Sequence, residues 1–327
     1  MRAAEHHGRA PSPDARCGAG DRPEFTLAER EDRLAWILGS SRSGSTWLLR
    51  MLSELPEVAA IDDPHLGHHL GVWRPIPLAW ATAEETPRLT TLTTLKRDEP
   101  DYFFSERYRE QWFPALRELI VARFDAQALE TAGSRGIADP IVVVKEPASH
   151  VADVLFSLFP QSRLVFLLRD GRDVVDSWVD AYTRDSWALA GGAYPLAAEG
   201  RLHLVRWLSS VWTYRTQMVQ AAYERHPPTR RVMIRYENLR ADPVSQLEKV
   251  CLTLGLDIAH EQLTSIAEAH SYERLSEEEK GSGKVVRAAS PGGWRRNLSA
   301  EEQEAMLEIM GDKLVELRYI PGAIAAA

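Results

Sequence analysis

Short apolar runs alternate with amphipathic segments along the chain from residue 34 onward. The runs cover residues 34–39, 58–61, 141–145, 163–169 and 230–236. Continuous apolar runs of this length, closed by glycine or charged residues, are typical of strands buried in a parallel sheet. Between them, apolar residues recur every three or four positions and predict helices. These helices are predicted over residues 45–55, 106–129, 149–159, 172–182, 199–225 and 243–254.

This alternation predicts an α/β fold, with a P-loop-type parallel β-sheet of about five strands flanked by helices on both faces. A last helix is predicted to begin at Ser299, because Ser299 and Glu302 match a capping box. Residues 1–32 are rich in Ala, Gly, Pro and charge, and we expect them to form a disordered leader. Residues 33–320 are expected to form a single domain, in which residues 65–135 are a helical, aromatic-rich insertion.

The charge balance narrows the classes of partner. The 327 residues include 47 acidic and 39 basic side chains, a formal net charge of −8. This balance argues against general binding to nucleic acid or to an anionic membrane. Two cysteines, Cys17 and Cys251, do not make a disulfide framework, so a reducing, cytoplasmic location is expected. The sequence shows neither an apolar run long enough for a membrane span nor the apolar segment of a secretory signal.

A candidate anion-binding loop lies between the first predicted strand and the first predicted helix. Residues 39–46 read GSSRSGST, which has the glycine spacing of a P-loop, but Ser45 stands where the P-loop lysine would be. Backbone N–H groups of such a loop and of the following helix favour an anion, and Arg42 supplies positive charge. A plain turn from strand to helix is the alternative. Because the lysine that contacts triphosphates is missing, the loop argues against a triphosphate donor.

A second candidate anion site follows the predicted strand 163–169. Arg169 ends that strand and Ser177 lies eight residues further on, inside the next predicted helix. An arginine at the carboxyl edge of a parallel sheet stands where such folds bind ligands, and its planar fork suits a phosphate. The alternative is a strand-capping Arg169 and a solvated Ser177. Two anion sites on neighbouring strands predict a nucleotide with phosphates at both of its ends.

Four segments together resemble the family of sulfotransferases that use 3′-phosphoadenosine 5′-phosphosulfate (PAPS). They are residues 42–47 (RSGSTW), Arg169 with Ser177, residues 236–239 (YENL) and residues 293–299 (GWRRNLS). The first segment is similar to bacterial members with an Arg-Ser-Gly-Ser-Thr phosphosulfate loop. The resemblance implies transfer of a sulfonate group from PAPS to a hydroxyl acceptor, with release of 3′-phosphoadenosine 5′-phosphate (PAP).

The resemblance also implies roles for individual residues in nucleotide binding. Tyr236 would help seat the adenine, and the segment around Trp294 would fold over the nucleotide. Lys284, Arg287 and Arg295 would add charge near the 3′-phosphate, although a solvated basic loop and a plain core tryptophan are the alternatives. The implied nucleotide-binding residues are Arg42, Ser43, Gly44, Ser45, Thr46, Trp47, Arg169, Ser177, Tyr236, Arg287, Trp294 and Arg295.

The catalytic residues are implied less completely. Lys145 ends a predicted strand and matches the family lysine that contacts the moving sulfonate; with Arg42 it would stabilise negative charge, and its alternative role is a strand cap. The family histidine two residues later is replaced by Pro147. The candidates for the general base are therefore Asp63, then His65, then Glu146. No metal is expected, because arginine and lysine supply the charge and no cluster of His or Cys ligands appears.

The acceptor is the least defined part of the prediction. Eight aromatic residues between Trp73 and Phe113 are expected to line an apolar or sugar-stacking pocket. A small-molecule alcohol, a phenol and a carbohydrate hydroxyl all stay open as acceptors, as does the oligomeric state. A P-loop kinase and a non-catalytic nucleotide-binding module are the rival functions. The kinase would want a P-loop lysine and a strand-end aspartate, where this chain has Ser45 and Arg169.

Overall fold

A computed structural model of the chain describes most of the predicted domain. Trp73 and Trp80, two of the aromatic pocket candidates, lie outside the described residues. The described residues are 26–69, 75–77, 88–133, 135–137, 139–182, 186–190, 200–284, 286–287 and 290–321.

Within the described residues, seven strands form two sheets. The larger sheet has five strands in the order β2-β5-β1-β6-β7, and every neighbouring pair in it is parallel. The smaller sheet is an antiparallel pair of β3 and β4. The strands are β1 (Leu34–Leu38), β2 (Val58–Asp62), β3 (Pro75–Pro77), β4 (Leu89–Thr91), β5 (Ile141–Lys145), β6 (Arg163–Leu168) and β7 (Arg231–Arg235).

The helices surround the larger sheet. They are α1 (Leu27–Asp32), α2 (Ser45–Ser53), α3 (Leu66–His69), α4 (Leu92–Lys96), α5 (Arg109–Gly133), α6 (Ala152–Leu158), α7 (Gly171–Ala181), α8 (Trp187–Ala190), α9 (Arg201–Arg225), α10 (Tyr236–Ala241), α11 (Pro243–Leu254), α12 (His260–Ala269), α13 (Trp294–Asn297) and α14 (Ala300–Glu316).

Side chains of the central strand β1 alternate between two hydrophobic cores. Leu34, Trp36 and Leu38 join residues of α5, α6, α7, α9 and α14 on one face of the sheet. Ala35 and Ile37 join residues of α2, α11 and α12 on the other face. All five residues are almost completely buried, as a strand covered on both faces requires. The predicted fold class, a parallel sheet with helices on both faces, is confirmed.

Three parts of the structure differ from the prediction: the leader at residues 1–32, the insertion at residues 65–135 and the unpredicted helix α12. The leader was predicted to be disordered over residues 1–32, but its last six residues form α1. Thr26 and Glu29 explain the helix, because each side chain accepts a hydrogen bond from the other residue's backbone N–H. The β3–β4 pair and α12 were not predicted, and α5 begins at Arg109, after a single 3₁₀ turn.

Within the part of the chain that the structure covers, none of the helices is both long and apolar enough to cross a bilayer.

Gly39, the residue directly after β1, lies in a tightly packed part of the sheet edge. A Cβ atom at Gly39 would lie 2.1 Å from the carbonyl oxygen of Leu167, a backbone atom that cannot move without breaking β6. We therefore expect Gly39→Ala to lower the free energy of unfolding by about 3 kcal/mol or more. The matched control is Gly311→Ala in α14, where the added atom meets open space and should stabilise the helix by about 0.5–1 kcal/mol. Urea denaturation of both variants checks this, and similar values for the two would contradict the packing argument.

Candidate active site

The loop between β1 and α2 has the backbone shape of an anion-binding loop. Gly44 is the residue before α2 and has a φ of 88°, a left-handed conformation that favours glycine. A Cβ atom there would also lie 2.7 Å from Cδ2 of Tyr236, so glycine lets the tyrosine ring approach the loop. Arg42 has a φ of 72° in the same loop. The loop thus leads directly into the N-terminus of α2, whose free N–H groups attract anions.

Arg42, Arg169 and Ser177 come together beside this loop. Arg42 Nε donates a hydrogen bond to Ser177 Oγ at 3.0 Å, and Arg169 Nη1 donates to the carbonyl oxygen of Arg42 at 2.7 Å. The guanidinium of Arg169 lies over the ring of Tyr236, 4.4 Å from its centre. That of Arg42 lies 5.3 Å from the centre of the Trp187 ring. Residues from three separate predicted segments therefore form one cluster.

The cluster concentrates positive charge in a region that is partly buried from solvent. Burial, followed by repulsion from Arg169 and Arg287, lowers the pKa of Arg42 to about 10. Arg42 nevertheless stays charged at neutral pH. In the described part of the chain, the buried Nε of Arg169 has no hydrogen-bond partner. Three guanidinium groups that repel one another, with a buried donor unsatisfied, favour a bound anion between them.

These residues line a cavity of about 240 Å³. None of the described residues that line it is Asp or Glu, although the whole chain carries a net charge of −8. The cavity is therefore a basic site within an acidic protein. Its arginines are Arg42, Arg50, Arg169, Arg240, Arg274 and Arg287, and its other lining residues include Ser45, Thr46, Trp47, Ser177, Tyr236, His270 and Tyr272.

One end of the cavity is aromatic. The rings of Trp47 and Tyr236 lie edge to face with their centres 6.5 Å apart. Trp47 Nε1 donates to the carbonyl oxygen of His270 at 2.8 Å, which fixes the indole. Tyr236 is 5% exposed and packs between Gly44 and Arg169. Flat, held rings of this kind suit a heterocyclic base.

The helix α7 holds a segment with the described residues 282–284, 286–287 and 290–297. We call it the covering segment, because Val286, Arg287 and Ser290 line the cavity. Three carboxylates on α7 contact this segment, at spacings of three and four residues that bring them to one helix face. Asp173 accepts from the N–H groups of Gly292 at 2.7 Å and Trp294 at 3.4 Å. Asp180 accepts from Ser282 Oγ at 2.7 Å and from the Gly283 N–H at 3.0 Å.

Asp176, the middle carboxylate, pairs with Arg287 of the cavity wall. Arg287 Nη1 donates to Asp176 Oδ1 at 3.0 Å, and Nη2 contacts Oδ2. Asn297 Nδ2 donates to the same carboxylate at 3.0 Å. Asp176 is 2% exposed, so this pair is shielded from water. Nothing in the local sequence singles out Asp176, and the pair appears only once the segment is folded over α7.

The other predicted residues of the covering segment occupy different positions. Trp294 is buried in the core and lies between two guanidinium groups, 4.3 Å from that of Arg172 and 4.5 Å from that of Arg295. Lys284 and Arg295 are exposed and do not line the cavity. Of the four, the structure brings Arg287 alone into the cavity wall. A direct contact of Trp294, Lys284 or Arg295 with the nucleotide stays a prediction.

Lys145 forms a second cluster at the same sheet edge. Its Nζ donates to Thr46 Oγ1 at 2.6 Å and lies 2.6 Å from Asp62 Oδ1 and 3.0 Å from Asp63 Oδ2. The lysine is 5% exposed, so its charge is neutralised by these carboxylates rather than by water. This arrangement connects the loop before α2 to the end of β2. It brings one candidate base, Asp63, within ion-pair distance of the predicted catalytic lysine.

The other two candidate bases lie close by. The His65 ring has its centre 5.7 Å from that of His68. Glu146 follows Lys145 directly and is 1% exposed. Burial raises the pKa of Glu146 to about 7, while hydrogen bonds from the N–H groups of Ala148 and Leu66 oppose this shift.

Two residues beside Glu146, the half-buried Arg215 and the buried His150, were missed by the sequence analysis. Arg215 of α9 donates through Nη1 to Ser41 Oγ at 3.1 Å, in the loop before α2. Burial, followed by the charges of Arg215 and His68, lowers the pKa of His150 to about 2, so its ring is neutral. No described residue forms a hydrogen bond with His150, which is 3% exposed. The two have no local motif, because their role depends on how α9 and the segment after β5 pack at the sheet edge.

Comparison with solved structures shows the same fold elsewhere. Mouse sulfotransferase SULT7A1, complexed with PAP, aligns with a TM-score of 0.52 at 12% identity, covering 89% of this chain and 90% of the mouse chain. Sulfotransferase STF9 from Mycobacterium avium aligns with a TM-score of 0.49 at 14% identity, covering 87% and 76%. The sulfotransferase domain of the Synechococcus olefin synthase aligns with a TM-score of 0.42 at 17% identity, covering 84% and 93%.

The sequence comparison is more specific than these distant structural likenesses. Among curated protein sequences, none matches the chain. A family model described as the sulfotransferase family matches residues 35–261, which is more than half of the chain and includes both candidate anion sites. The chain therefore belongs to the sulfotransferase family.

Proposed function

We propose that the protein transfers a sulfonate group from PAPS to a hydroxyl acceptor and releases PAP. The observation that carries this proposal is the basic cavity that joins the loop before α2 to the cluster of Arg42, Arg169 and Ser177. A basic cavity that offers both a helix N-terminus and a cluster of guanidinium groups suits a nucleotide with anions on both its 5′ and 3′ positions. A solved relative with the same fold, mouse SULT7A1, is described as complexed with PAP.

In this proposal the 3′-phosphate lies among the guanidinium groups. Arg42, Arg169 and Arg287 would neutralise its charge, and Ser177 Oγ would donate a hydrogen bond in place of the one it now accepts from Arg42. The adenine would lie against Trp47 and Tyr236, whose edge-to-face rings form the aromatic end of the cavity.

The 5′ end would lie on the loop before α2. The N–H groups of Ser43, Gly44, Ser45 and Thr46 would bind the phosphosulfate, because the start of a helix offers several free donors. Arg42 acts mainly at the 3′ end in this arrangement, since Ser177 and Arg169 are its neighbours. Its help in neutralising the sulfonate beside Lys145 stays a prediction.

PAPS supplies an activated sulfonate on a phosphate leaving group. The acceptor oxygen forms a bond to sulfur while the bond from sulfur to the phosphate oxygen breaks, and the acceptor proton goes to a base. Lys145 is suited to neutralise the departing oxygen, because it is buried and contacts Thr46 at the start of α2. Residues that hold these charges in place before the reaction lower the barrier without further rearrangement.

Asp63 is the base we propose. Its Oδ2 lies 3.0 Å from Lys145 Nζ, and its side chain as a whole is 40% exposed. Its Oδ1 is buried and has no hydrogen-bond partner among the described residues, which leaves this oxygen available to take a proton. Glu146 has a pKa nearer neutrality, but with 1% exposure it is shielded from an acceptor. His65, two residues after Asp63 in the same turn, is the alternative base if Asp63 binds only the lysine.

For the acceptor we propose a chemical class rather than a single compound: a small-molecule alcohol, a phenol or a sugar. Phe104 and Trp112 pack against the core with ring centres 5.3 Å apart, so these two are structural. Phe103 is 79% exposed, which leaves its ring available for contact with an acceptor. A screen of hydroxyl acceptors with labelled PAPS, with the transferred label as readout, would identify the class.

The nucleotide site is tested by comparing PAP with AMP, which lacks the 3′-phosphate. Wild-type protein should bind PAP more tightly than AMP and show a higher melting temperature with PAP. Arg169→Ala should weaken PAP binding about 10–10²-fold and leave AMP binding nearly unchanged, since a hydrogen bond to a charged group is worth about 1.5–3 kcal/mol. Isothermal calorimetry measures both.

The control for the nucleotide experiment is Arg225→Ala. This arginine pairs with Asp153 at the surface and is 65% exposed, away from the cavity. It should bind both nucleotides like the wild type. Equal loss of PAP and AMP affinity in Arg169→Ala, or equal wild-type affinities for the two nucleotides, would remove the 3′-phosphate from this cluster.

The role of α7 in preparing the cavity gives a separate prediction. Asp176→Asn keeps the size of the side chain but removes the charge that holds Arg287. The covering segment should loosen, so trypsin should cut faster after Lys284 and Arg287, and PAP affinity should fall several-fold. Mass spectrometry of a limited digest locates the cuts. Asp153→Asn, which removes a surface carboxylate, should digest like the wild type, and identical digests of all three proteins would refute the anchoring role.

The base is tested with a pair of neighbouring aspartates. Asp63→Asn removes proton-accepting ability and should depress turnover about 10²–10⁴-fold, while PAP affinity changes little. Asp62→Asn removes the other carboxylate beside Lys145 and should depress turnover much less, because Asp62 is not the base in this proposal. Turnover of each variant is measured with the acceptor that the screen identifies. Near-normal turnover of Asp63→Asn together with a collapse in His65→Ala would transfer the role to His65.

A further inference from the structure

Glu146 is a buried carboxylate at the sheet edge to which the proposed chemistry gives no role. It follows β5 directly and is 1% exposed. Each of its oxygens accepts a backbone hydrogen bond at 2.9 Å, Oε1 from the Ala148 N–H and Oε2 from the Leu66 N–H. Leu66 lies 80 residues earlier in the chain. The carboxylate therefore connects the end of β5 to the turn that follows β2.

That turn has an unfavourable backbone. Asp63 has a φ of 47° and His65 a φ of 51°, both in the left-handed region that L-residues other than glycine seldom adopt. Such a conformation is unfavourable for an L-residue, because its Cβ comes too close to a backbone carbonyl oxygen. It persists only where surrounding contacts hold it. Pro64 between them restricts the chain further, because its own φ is fixed near −65°.

Two hydrogen bonds hold the turn at its two ends. The Asp63 N–H donates to the carbonyl oxygen of Lys145 at 3.1 Å, and the Leu66 N–H donates to Glu146. The two acceptors are consecutive residues at the end of β5. The first is a continuation of the β2–β5 ladder, but the second exists only because residue 146 carries a carboxylate.

We propose that Glu146 is a positioning residue, which holds the turn of residues 63–66 so that the Asp63 carboxylate faces Lys145 and the acceptor. The part of this proposal that concerns turnover rests on the proposed function, in which Asp63 is the base. The part that concerns the turn rests on the contacts alone.

A half-buried arginine supports the charge of Glu146. Arg215 of α9 has an inaccessible Nε, and its positive charge favours the ionised form of Glu146. The same guanidinium donates to Ser41 Oγ in the loop before α2. Glu146 and Arg215 therefore lie between the donor-side loop and the acceptor-side turn. A neutral substitute at either position would leave a buried partner uncompensated.

Amide hydrogen exchange tests the positioning directly, without any acceptor or nucleotide. In Glu146→Ala the Leu66 N–H loses its acceptor, so exchange at Leu66 should rise at least tenfold and exchange at Asp63 should rise with it. Glu146→Gln keeps one carbonyl oxygen and should show a smaller rise. Because the alanine variant can be destabilised as a whole, the glutamine variant provides the same test in a milder form.

The control is Glu31→Gln at the opposite edge of the sheet. Glu31 is also a buried carboxylate, 3% exposed, and it accepts from Arg117 Nη2 at 2.6 Å and from the Gln161 N–H. Glu31→Gln should lower the free energy of unfolding by a similar amount. It should not raise amide exchange selectively at Leu66 or Asp63. If Glu146→Ala leaves exchange at both amides equal to that of Glu31→Gln, the proposal is overturned.

Kinetics with the identified acceptor separates positioning from general-base catalysis. If Glu146 is a positioning residue, kcat should fall about 10–10²-fold in Glu146→Ala and less than tenfold in Glu146→Gln. PAP affinity should be unchanged in both variants. If Glu146 is the base itself, kcat should fall about 10²–10⁴-fold in both variants, because neither an amide nor a methyl group can accept the proton. Equal, large losses in both variants would therefore overturn the positioning role. A fully active Asp63→Asn would instead refute the proposed base, while the exchange result would still decide whether Glu146 holds the turn.

Discussion

The guanidinium groups of Arg42, Arg169 and Arg287 share one partly buried cavity, and their mutual repulsion is the constraint around which the site is organised. Burial, followed by repulsion from the other two, lowers the pKa of Arg42, so neighbouring groups must hold the three cations together. Ser177 accepts from Arg42, the Tyr236 ring lies against Arg169, and Asp176 neutralises Arg287. Without these contacts the charges would turn toward water, and the cavity would lose the concentrated positive charge on which the proposed anion site depends.

The helix α7 provides two of these partners and so joins the nucleotide site to its cover. Ser177 contacts the loop before α2, while its neighbour Asp176 and the flanking Asp173 and Asp180 bind the segment that continues to Trp294. A substitution at Ser177 thus acts on the loop before α2, whereas one at Asp173, Asp176 or Asp180 acts on the covering segment. This explains why a single helix with no glycine-rich motif of its own carries so many functional contacts.

The acceptor side depends on a different balance, between backbone strain and buried hydrogen bonds. The turn at Asp63 and His65 is unfavourable by itself, and its contacts with Lys145 and Glu146 compensate for the strain. The strand ends of β2 and β5 make this possible, because parallel neighbours finish at the same edge of a sheet. The donor and acceptor clusters meet there through Thr46, which contacts Lys145.

The sequence by itself determined the strands of the sheet and the residues at their carboxyl ends. Apolar runs that stop at Gly39, Lys145 and Arg169 are local patterns, and parallel topology brings such ends to one edge. Only the tertiary structure decided that Asp176 meets Arg287, 111 residues later, and that Arg215 meets Ser41, 174 residues earlier. Those pairs depend on how helices and a covering segment pack on the sheet, and packing of distant segments leaves no periodic signal in either one.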